Sequence, residues 1–141
     1  MKYGLIKDDT KIMTGKTLYR IKALKSFGDV KKGDLGGYVE SEHNLSQRNC
    51  CWIYDNACVY DNARIFGKAH VAGNARVSGS ARIYEYASIY EYAYVSRNAH
   101  VAGNAHVYGA AYVTGNALVS GKAHVSGKAC IHENTILSGH I

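Results

Sequence analysis

The chain has 141 residues, of which 47% are hydrophobic and 20% are charged, so it is long enough for one domain with a buried core. It has no apolar run that could cross a bilayer and no signal peptide, and its four cysteines match neither a zinc motif nor a redox motif. We therefore expect a soluble, cytoplasmic protein whose cysteines act as small apolar residues.

The N-terminal segment, residues 1–34, carries most of the positive charge. It contains nine Lys and Arg residues against four Asp, a net charge of +5 out of a total of +6. Such a segment suits an acidic partner or an anionic ligand, although a solvated, lysine-rich surface is the commoner explanation.

Residues 17–24 of the same segment predict a short strand, and Gly28-Asp29 predicts a turn. We expect a small β cap over the open lower end of the structure that follows, where unpaired backbone invites aggregation.

A six-residue repeat fills the rest of the chain, residues 35–141. From Ala57 to Ala129 an alanine occupies every sixth position, and Val or Ile follows two residues later, which makes thirteen consecutive hexads. The same phase predicts eighteen aliphatic positions from Leu35 to Leu137. Outside the thirteen hexads the phase assigns Leu35, Ser41, Gln47 and Ile53 to aliphatic positions, Val39, Leu45 and Cys51 to small-residue positions, and keeps Thr135, Leu137 and Ile141 in register.

Repetition at a fixed short period is the signature of a solenoid. Each A-x-V triplet has the two-residue alternation of a short strand with both apolar side chains inward. The remaining residues, as in V-A-G-N-A, form a corner where Gly or Asn accepts a positive φ. A period of six does not fit an α-helix. Three strands and three corners close a triangular coil, so eighteen aliphatic positions predict about six coils.

The hexads resemble those of the left-handed parallel β-helix, whose consensus runs aliphatic, glycine, two variable residues and a small residue. LGGYV, residues 35–39, fits this consensus, whereas later repeats carry the glycine one place later, as in V-S-G-S-A. The resemblance covers about three-quarters of the chain and implies an all-β, left-handed triangular solenoid. The handedness rests on the resemblance alone, because strand twist favours a right-handed crossover.

The segment TLYRIKALKSFGDVKKGDLGGYVESEHNLS, followed by YDNA and GNA hexads, is similar to bacteriophage- and prophage-encoded β-helix proteins. Some phage β-helix proteins of this broad type are trimers that act as sponges, binding the nucleotide second messengers of bacterial antiviral immunity without cleaving them. The resemblance implies a homotrimer in the infected bacterial cell. Its ligand is then a cyclic di- or trinucleotide or a cyclic ADP-ribose-type signal, with no cofactor. A structural or scaffold protein of a phage is the alternative.

In a triangular prism the residue between the alanine and the Val or Ile points outward, and residues 18 apart stack in columns. We expect these outward residues to meet solvent, a neighbouring protomer or a ligand. The three columns are Arg64, Arg82, His100, Leu118 and Ile136; Cys58, Arg76, Tyr94, Tyr112 and Cys130; and Trp52, His70, Ser88, His106 and His124.

The stretch IYEYASIYEYAYVS, residues 83–96, breaks the Gly-Asn rhythm and places tyrosines on or beside the corners of the middle coils. Aromatic rings stack on nucleobases and arginines bind phosphate oxygens, so this combination suits a nucleotide. Packing between protomers explains the same residues, and both explanations hold if the ligand lies between protomers. The predicted ligand-binding residues are Arg64, Arg76, Arg82, Tyr84, Tyr90, Tyr94, His100 and His106.

A hexapeptide-type acyltransferase or a zinc hydratase is a third hypothesis, because both use histidines on such a fold. We expect no catalytic residue and no metal site, since the hexads lack the extended loop of the acyltransferases and His70 lies two coils, roughly 10 Å, from His106.

DNA binding is not expected, because residues 35–141 carry a net charge of only +1. The sequence does not decide whether two trimers pair end to end at the upper end of the prism.

Overall fold

Eighteen β-strands and one 3-10 turn, Glu42–Asn44, form the regular structure of residues 1–139, the part of the chain that the computed structural model describes. These residues contain no α-helix. Ile141, which the repeat kept in register, lies outside them. The strands are β1 (Tyr3–Met13), β2 (Lys16–Ala23), β3 (Leu35–Val39), β4 (Trp52–Ile53), β5 (Cys58–Val59), β6 (Arg64–Ile65), β7 (His70–Val71), β8 (Arg76–Val77), β9 (Arg82–Ile83), β10 (Ser88–Ile89), β11 (Tyr94–Val95), β12 (His100–Val101), β13 (His106–Val107), β14 (Tyr112–Val113), β15 (Leu118–Val119), β16 (His124–Val125), β17 (Cys130–Ile131) and β18 (Ile136–Leu137).

The hexads wind into a parallel β-solenoid of about six coils, which confirms the prediction of a stacked solenoid. Strands one coil apart pair in parallel and build three sheets, in the orders β1-β2-β3-β5-β8-β11-β14-β17, β4-β7-β10-β13-β16 and β6-β9-β12-β15-β18. Backbone amides donate to carbonyl groups of the next coil, as Tyr84 N does to Val101 O at 3.0 Å. Each coil therefore satisfies the backbone of its neighbours, which no coil can do alone.

The core is a column of one alanine and one Val or Ile per hexad. The alanines from Ala57 to Ala123 are at most 5% exposed, and the Val and Ile residues from Ile53 to Val125 are at most 3% exposed. β-Branched side chains suit these short extended segments. Alanine completes the pattern because two large inward side chains per side do not fit such a narrow coil.

The first coil departs from the predicted phase. Val39 pairs with Val59 and Leu45 with Ile65, so both point into the core, 20 rather than 18 residues before their partners. The assignment of Leu35, Ser41 and Gln47 to aliphatic positions was therefore wrong, and Leu35 is 55% exposed. The cause is a corner two residues longer than the others, between Leu45 and β4. Seventeen aliphatic positions remain, still about six coils.

The N-terminal segment forms an antiparallel hairpin that continues one sheet beyond the first coil. Strand β2 agrees with the predicted strand, and the turn at Gly28 joins Phe27 to Val30, but the eleven-residue β1 was not predicted. Tyr3, Ile21 and Val30 are buried against the lower coils. The segment thus covers core side chains at the lower end of the solenoid.

From Ile53 onward, each corner turns through one residue with φ between 57° and 68°, two positions after the aliphatic residue. We also expected the asparagines of the Gly-Asn pairs to accept a positive φ. They do not adopt one, because the glycine before each asparagine is the only residue of the turn with a positive φ. Glycine fills eight of these positions, and the others hold Asp55, Asp61, Glu85, Glu91, Arg97 and Glu133. Four of the carboxylates accept a hydrogen bond, 2.8–3.0 Å long, from the glycine amide one coil above: Asp55 from Gly73, Asp61 from Gly79, Glu85 from Gly103 and Glu91 from Gly109.

Candidate ligand-binding cleft

The outward columns follow the predicted register on all three sides of the solenoid. Arg64 lies opposite Arg82 and Arg82 opposite His100, and the other two columns pair in the same way. We name the sides after their outward residues. The arginine face holds Arg64, Arg82, His100, Leu118 and Ile136; the tyrosine face holds Cys58, Arg76, Tyr94, Tyr112 and Cys130; the histidine face holds Trp52, His70, Ser88, His106 and His124.

Two outward residues of the lowest coils are buried, which corrects the expectation that all of them meet solvent, a protomer or a ligand. Trp52 is 1% exposed, because the rings of Tyr3 and Phe27 pack edge-on against it at 6.2 and 5.2 Å. Cys58 is also 1% exposed, under a cluster formed with the hairpin. The hairpin and the turn that follows it therefore cover the lowest parts of two faces.

The eight predicted ligand-binding residues fall on three different sides of one chain. Four lie on or beside the arginine face, two on the tyrosine face, and two on or beside the histidine face. A single chain thus does not bring all eight together. In the order of these faces they are Arg64, Arg82, Tyr84 and His100; Arg76 and Tyr94; and Tyr90 and His106.

The arginine face carries two cations without an anionic partner. Arg64 and Arg82 are exposed and pair directly across adjacent strands, a spacing of about 4.8 Å. Neither forms an ion pair or a side-chain hydrogen bond with any of residues 1–139. His100 continues the column, and burial together with the positive charge of Arg82 lowers its pKa. Like charges stacked in this way repel each other unless an anion lies between them.

A stack of aromatic rings lies at the corner beside these arginines. Phe66 and Tyr84 are parallel, with ring centroids 5.0 Å apart and planes 6° from each other. His100 meets the edge of Tyr84 at 6.0 Å. One coil below Phe66 the same corner position holds Ser46, whose amide donates to Ile65 O as the Phe66 amide donates to Ile83 O. The stack of aromatic rings therefore ends at Phe66, because the next residue below it in this column, Ser46, has a small side chain.

A cleft of about 410 Å³ opens at the lower end of the arginine face. Sequence reasoning found Arg64 and Arg82 in its wall but missed the residues of the 3-10 turn and the long corner. The signal was the phase slip between Leu45 and Ile53, which the uninterrupted hexad count concealed. The missed residues at the cleft are Glu42, His43, Ser46, Gln47 and Phe66.

The wall formed by the 3-10 turn is held firmly in place. Ser41 caps the turn, and the buried Asn44 side chain accepts from Glu40 N and Ser41 N while donating to Ala63 O at 2.8 Å. The Gln47 amide bonds the backbone of Lys2 and Tyr3 in the hairpin. The cleft is thus formed by the folded chain itself, because the hairpin, the turn and the first coil fix one another.

On the tyrosine face the predicted binding residues contact each other. The Arg76 guanidinium lies 5.1 Å from the centre of the Tyr94 ring and donates to the Tyr60 hydroxyl at 3.3 Å. Tyr94 in turn stacks on Tyr112 at 5.0 Å. The Arg76 Nε is buried and has no hydrogen-bond partner among residues 1–139. Arg76 is therefore less available to a phosphate than the two free arginines of the arginine face.

The histidine face bears a block of four rings. Tyr90 stacks on Tyr108 at 4.9 Å and His106 on His124 at 4.8 Å, and the Tyr90 hydroxyl lies 3.3 Å from His106 Nδ1. Burial and the neighbouring His124 lower the pKa of His106. A groove of about 340 Å³ lies below the block, but Asp29 and Asp55 line it. Carboxylates there make this groove a poor site for phosphate.

Most of the N-terminal cations are engaged within the chain. Lys16 forms an ion pair with Asp61 at 2.5 Å and Arg20 one with Asp9 at 3.0 Å, and the buried Lys2 donates to Cys51 O at 2.8 Å. These contacts favour a structural use of the charge over the alternative of an acidic partner. Two further lysines lie over aromatic rings, Lys7 over Tyr19 and Lys11 over Tyr38.

In the described part of the chain no three His, Cys, Asp or Glu side chains lie close enough together to hold a metal ion. No helix of residues 1–139 is long and apolar enough to cross a membrane. No protein-family model matches the sequence, and no curated protein matches it. The site must therefore be interpreted from its own geometry.

Proposed function

We propose that this protein is a phage sponge that binds cyclic oligonucleotide or cyclic ADP-ribose-type immune signals and holds them without cleavage. The observation that carries the proposal is the pair of unpartnered arginines, Arg64 and Arg82, beside the Phe66–Tyr84 stack. Such ligands combine phosphate oxygens, which guanidinium groups bind, with flat bases, which stack on aromatic rings. The cleft volume of about 410 Å³ lies within the range of small-molecule sites.

The active assembly in this proposal is a homotrimer of left-handed β-helices, with ligand pockets completed at the boundaries between protomers. Exposed aromatic side chains support it, since Tyr92 is 70% and Tyr86 57% exposed on corners of the middle coils. Tyrosine is enriched in protein interfaces, where its large ring is covered. A trimer also places faces of different protomers against each other, and so offers a ligand more than one of the three predicted residue sets.

Sequestration requires tight binding and slow release rather than chemistry. The arginine pair supplies long-range attraction and charge-assisted hydrogen bonds to phosphate, while the aromatic corner supplies contact with the base. The messenger then stays bound to the solenoid and does not reach its effector.

Calorimetry with cyclic di- and trinucleotides and cyclic ADP-ribose isomers tests the proposal, at protein concentrations near 100 μM. We expect at least one ligand to bind, to be recovered intact on denaturation, and to lose affinity in the Arg64→Gln/Arg82→Gln variant. Lys122→Gln/Lys128→Gln, at two exposed positions on higher coils, is the matched control for loss of two positive charges. If the wild-type protein binds none of these ligands, the sponge proposal is wrong.

A rigid structural spacer is the second candidate, and the ring stacks favour it. Tyr94–Tyr112 and Tyr90–Tyr108 run parallel to the solenoid axis on two faces and suit packing against other chains. A spacer forms larger polymers with no small ligand, so sedimentation and calorimetry on the same sample separate it from a sponge.

A further inference from the structure

We propose that the cleft below Phe66 is a guanine-nucleotide site whose base and phosphate contacts come from a single protomer. The inference rests on the proposed function and deepens it, because it names the base that the site selects and the residues that select it. Three features of the cleft carry it: a gap in a ring stack, a pair of free arginines, and the carboxylate of Glu42, which also lines the cleft.

The gap follows from the stacking of the corner residues. Tyr84 and Phe66 stack in parallel at 5.0 Å, and the next position below in this column is Ser46. The upper face of the Phe66 ring is covered by Tyr84, while its lower side faces the cleft that Phe66 and Ser46 both line. A planar base inserted above Ser46 continues the stack as its third ring. Stacking of this kind accepts any base and gives affinity without choosing among bases.

The phosphate position follows from the charges. Arg64 and Arg82 line the same cleft, one coil apart, and no carboxylate of residues 1–139 neutralises either guanidinium. Two guanidinium groups in a column present donors to different oxygens of one phosphate. A nucleotide whose base lies against Phe66 thus has its phosphate beside the arginines that flank the same corner.

The selection of guanine follows from Glu42. Glu42 lines the cleft together with the arginines, and its carboxylate accepts from Gln47 Nε2 at 3.5 Å without forming an ion pair with either arginine. A carboxylate only accepts hydrogen bonds. Guanine offers it two adjacent donors, N1–H and the N2 amino group, whereas adenine presents the N1 acceptor beside a single amino group. The wall therefore attracts guanine and opposes adenine.

Guanosine 5′-monophosphate and adenosine 5′-monophosphate, titrated separately and followed by NMR chemical shifts, test the site on wild-type protein and four variants. Ser46→Phe fills the gap with a protein ring, and Ser120→Phe adds the same ring to the same corner four coils higher, outside the cleft, as its control. Phe66→Leu removes the stacking surface without filling the gap. Glu42→Gln keeps the shape of the side chain and adds a donor.

We expect Ser46→Phe and Phe66→Leu to weaken guanosine monophosphate binding about tenfold or more, and Ser120→Phe to leave it unchanged. Glu42→Gln should reduce the preference for guanosine over adenosine monophosphate. The site is wrong if guanosine monophosphate does not bind at about 5 mM, if it binds no better than adenosine monophosphate, or if neither Ser46→Phe nor Phe66→Leu weakens it. Because Phe66→Leu tests the same contact, a Ser46→Phe chain that fails to fold leaves the test intact.

The outcomes separate this inference from the sponge proposal. If cyclic nucleotides bind the wild-type and Ser46→Phe proteins equally well, the cleft is not their site and the guanine inference fails, while sequestration stands. If guanosine monophosphate behaves as expected but no cyclic nucleotide binds, the guanine site stands and the sponge proposal fails.

Discussion

Gly79 and Arg97 occupy the same corner position on adjacent coils, both with left-handed backbone, at φ of 64° and 57°. A β-carbon added to Gly79 falls 2.5 Å from the Arg97 nitrogen and 2.8 Å from its Cα. Glu85 and Glu91 likewise lie directly above a glycine, and every non-glycine corner residue from Asp55 to Arg97 in turn has a glycine one coil above it. A corner position that carries a side chain on one coil is therefore occupied by glycine on the coil above.

We predict that Gly79→Ala destabilises the protein by about 2–4 kcal/mol. Part of this is the left-handed conformation of a residue with a β-carbon, about 1–2 kcal/mol, and the rest is crowding against the backbone of Arg97. Gly127 has φ of 64° but nothing within 4 Å of an added β-carbon, so Gly127→Ala should show the conformational part alone. Equal losses in urea unfolding of the two variants contradict the crowding argument.

Arg97→Gly is predicted to raise stability by a few tenths to about 1 kcal/mol. It removes a strained left-handed residue, and the extra freedom of glycine in the unfolded chain offsets part of the gain. No side-chain hydrogen bond is lost among residues 1–139, since Arg97 makes none there. Glu85→Gly is the comparison: it also loses the 2.8 Å bond to Gly103 N and should gain less or lose stability. Thermal unfolding of both variants decides the point.

The sequence predicted the solenoid because the hexad encodes both its core and its corners. Ala99 and Val101 show why: two inward residues on one short strand, repeated, leave few other ways to bury them. The first coil escaped prediction because Val39 and Leu45 fit a small-residue position as well as an aliphatic one. Only the structure reveals the longer corner before Ile53 that moves them.

The candidate site was predictable in part. A spacing of 18 residues placed Arg64 below Arg82, and the structure has them paired. Glu42 and Ser46 were missed, because their position depends on the length of the irregular corner, which the hexad count concealed, and on the hairpin that holds it. Periodicity predicts what repeats, and this cleft is formed where the repeat is interrupted.

Val101→Asp is predicted to prevent stable folding. Val101 is fully buried, and no described side chain can pair with a carboxylate between Ala99 and its neighbouring coils. His100→Asp places the same carboxylate one residue away on the outward side and should leave a folded, soluble protein. Circular dichroism and the soluble yield compare the two. A folded Val101→Asp variant contradicts the assignment of inward and outward positions.

Stability should fall as the pH drops below about 6.5. Burial lowers the pKa of His70, His100 and His106 in the folded protein, so the unfolded chain takes up protons first. Neutral histidines therefore contribute stability above pH 6.5, and this contribution is lost as the pH falls from that value through the lowered pKa values of the folded protein. Thermal unfolding between pH 7.5 and 5 measures the loss. A variant with all three histidines replaced by glutamine should show a flatter curve, and an equally steep one contradicts this origin.

Arg82→Gln is predicted to raise the stability of the unliganded protein at low salt by about 0.2–1 kcal/mol. Arg82 lies between Arg64 and His100, so its removal relieves repulsion between like charges on paired strands. Salt screens this repulsion, and the difference should shrink at about 1 M sodium chloride. A column that lowers stability when empty is expected of a binding site, because the ligand supplies the missing negative charge. Loss of stability in Arg82→Gln at low salt, measured by urea unfolding, would show instead that the arginine supports the fold.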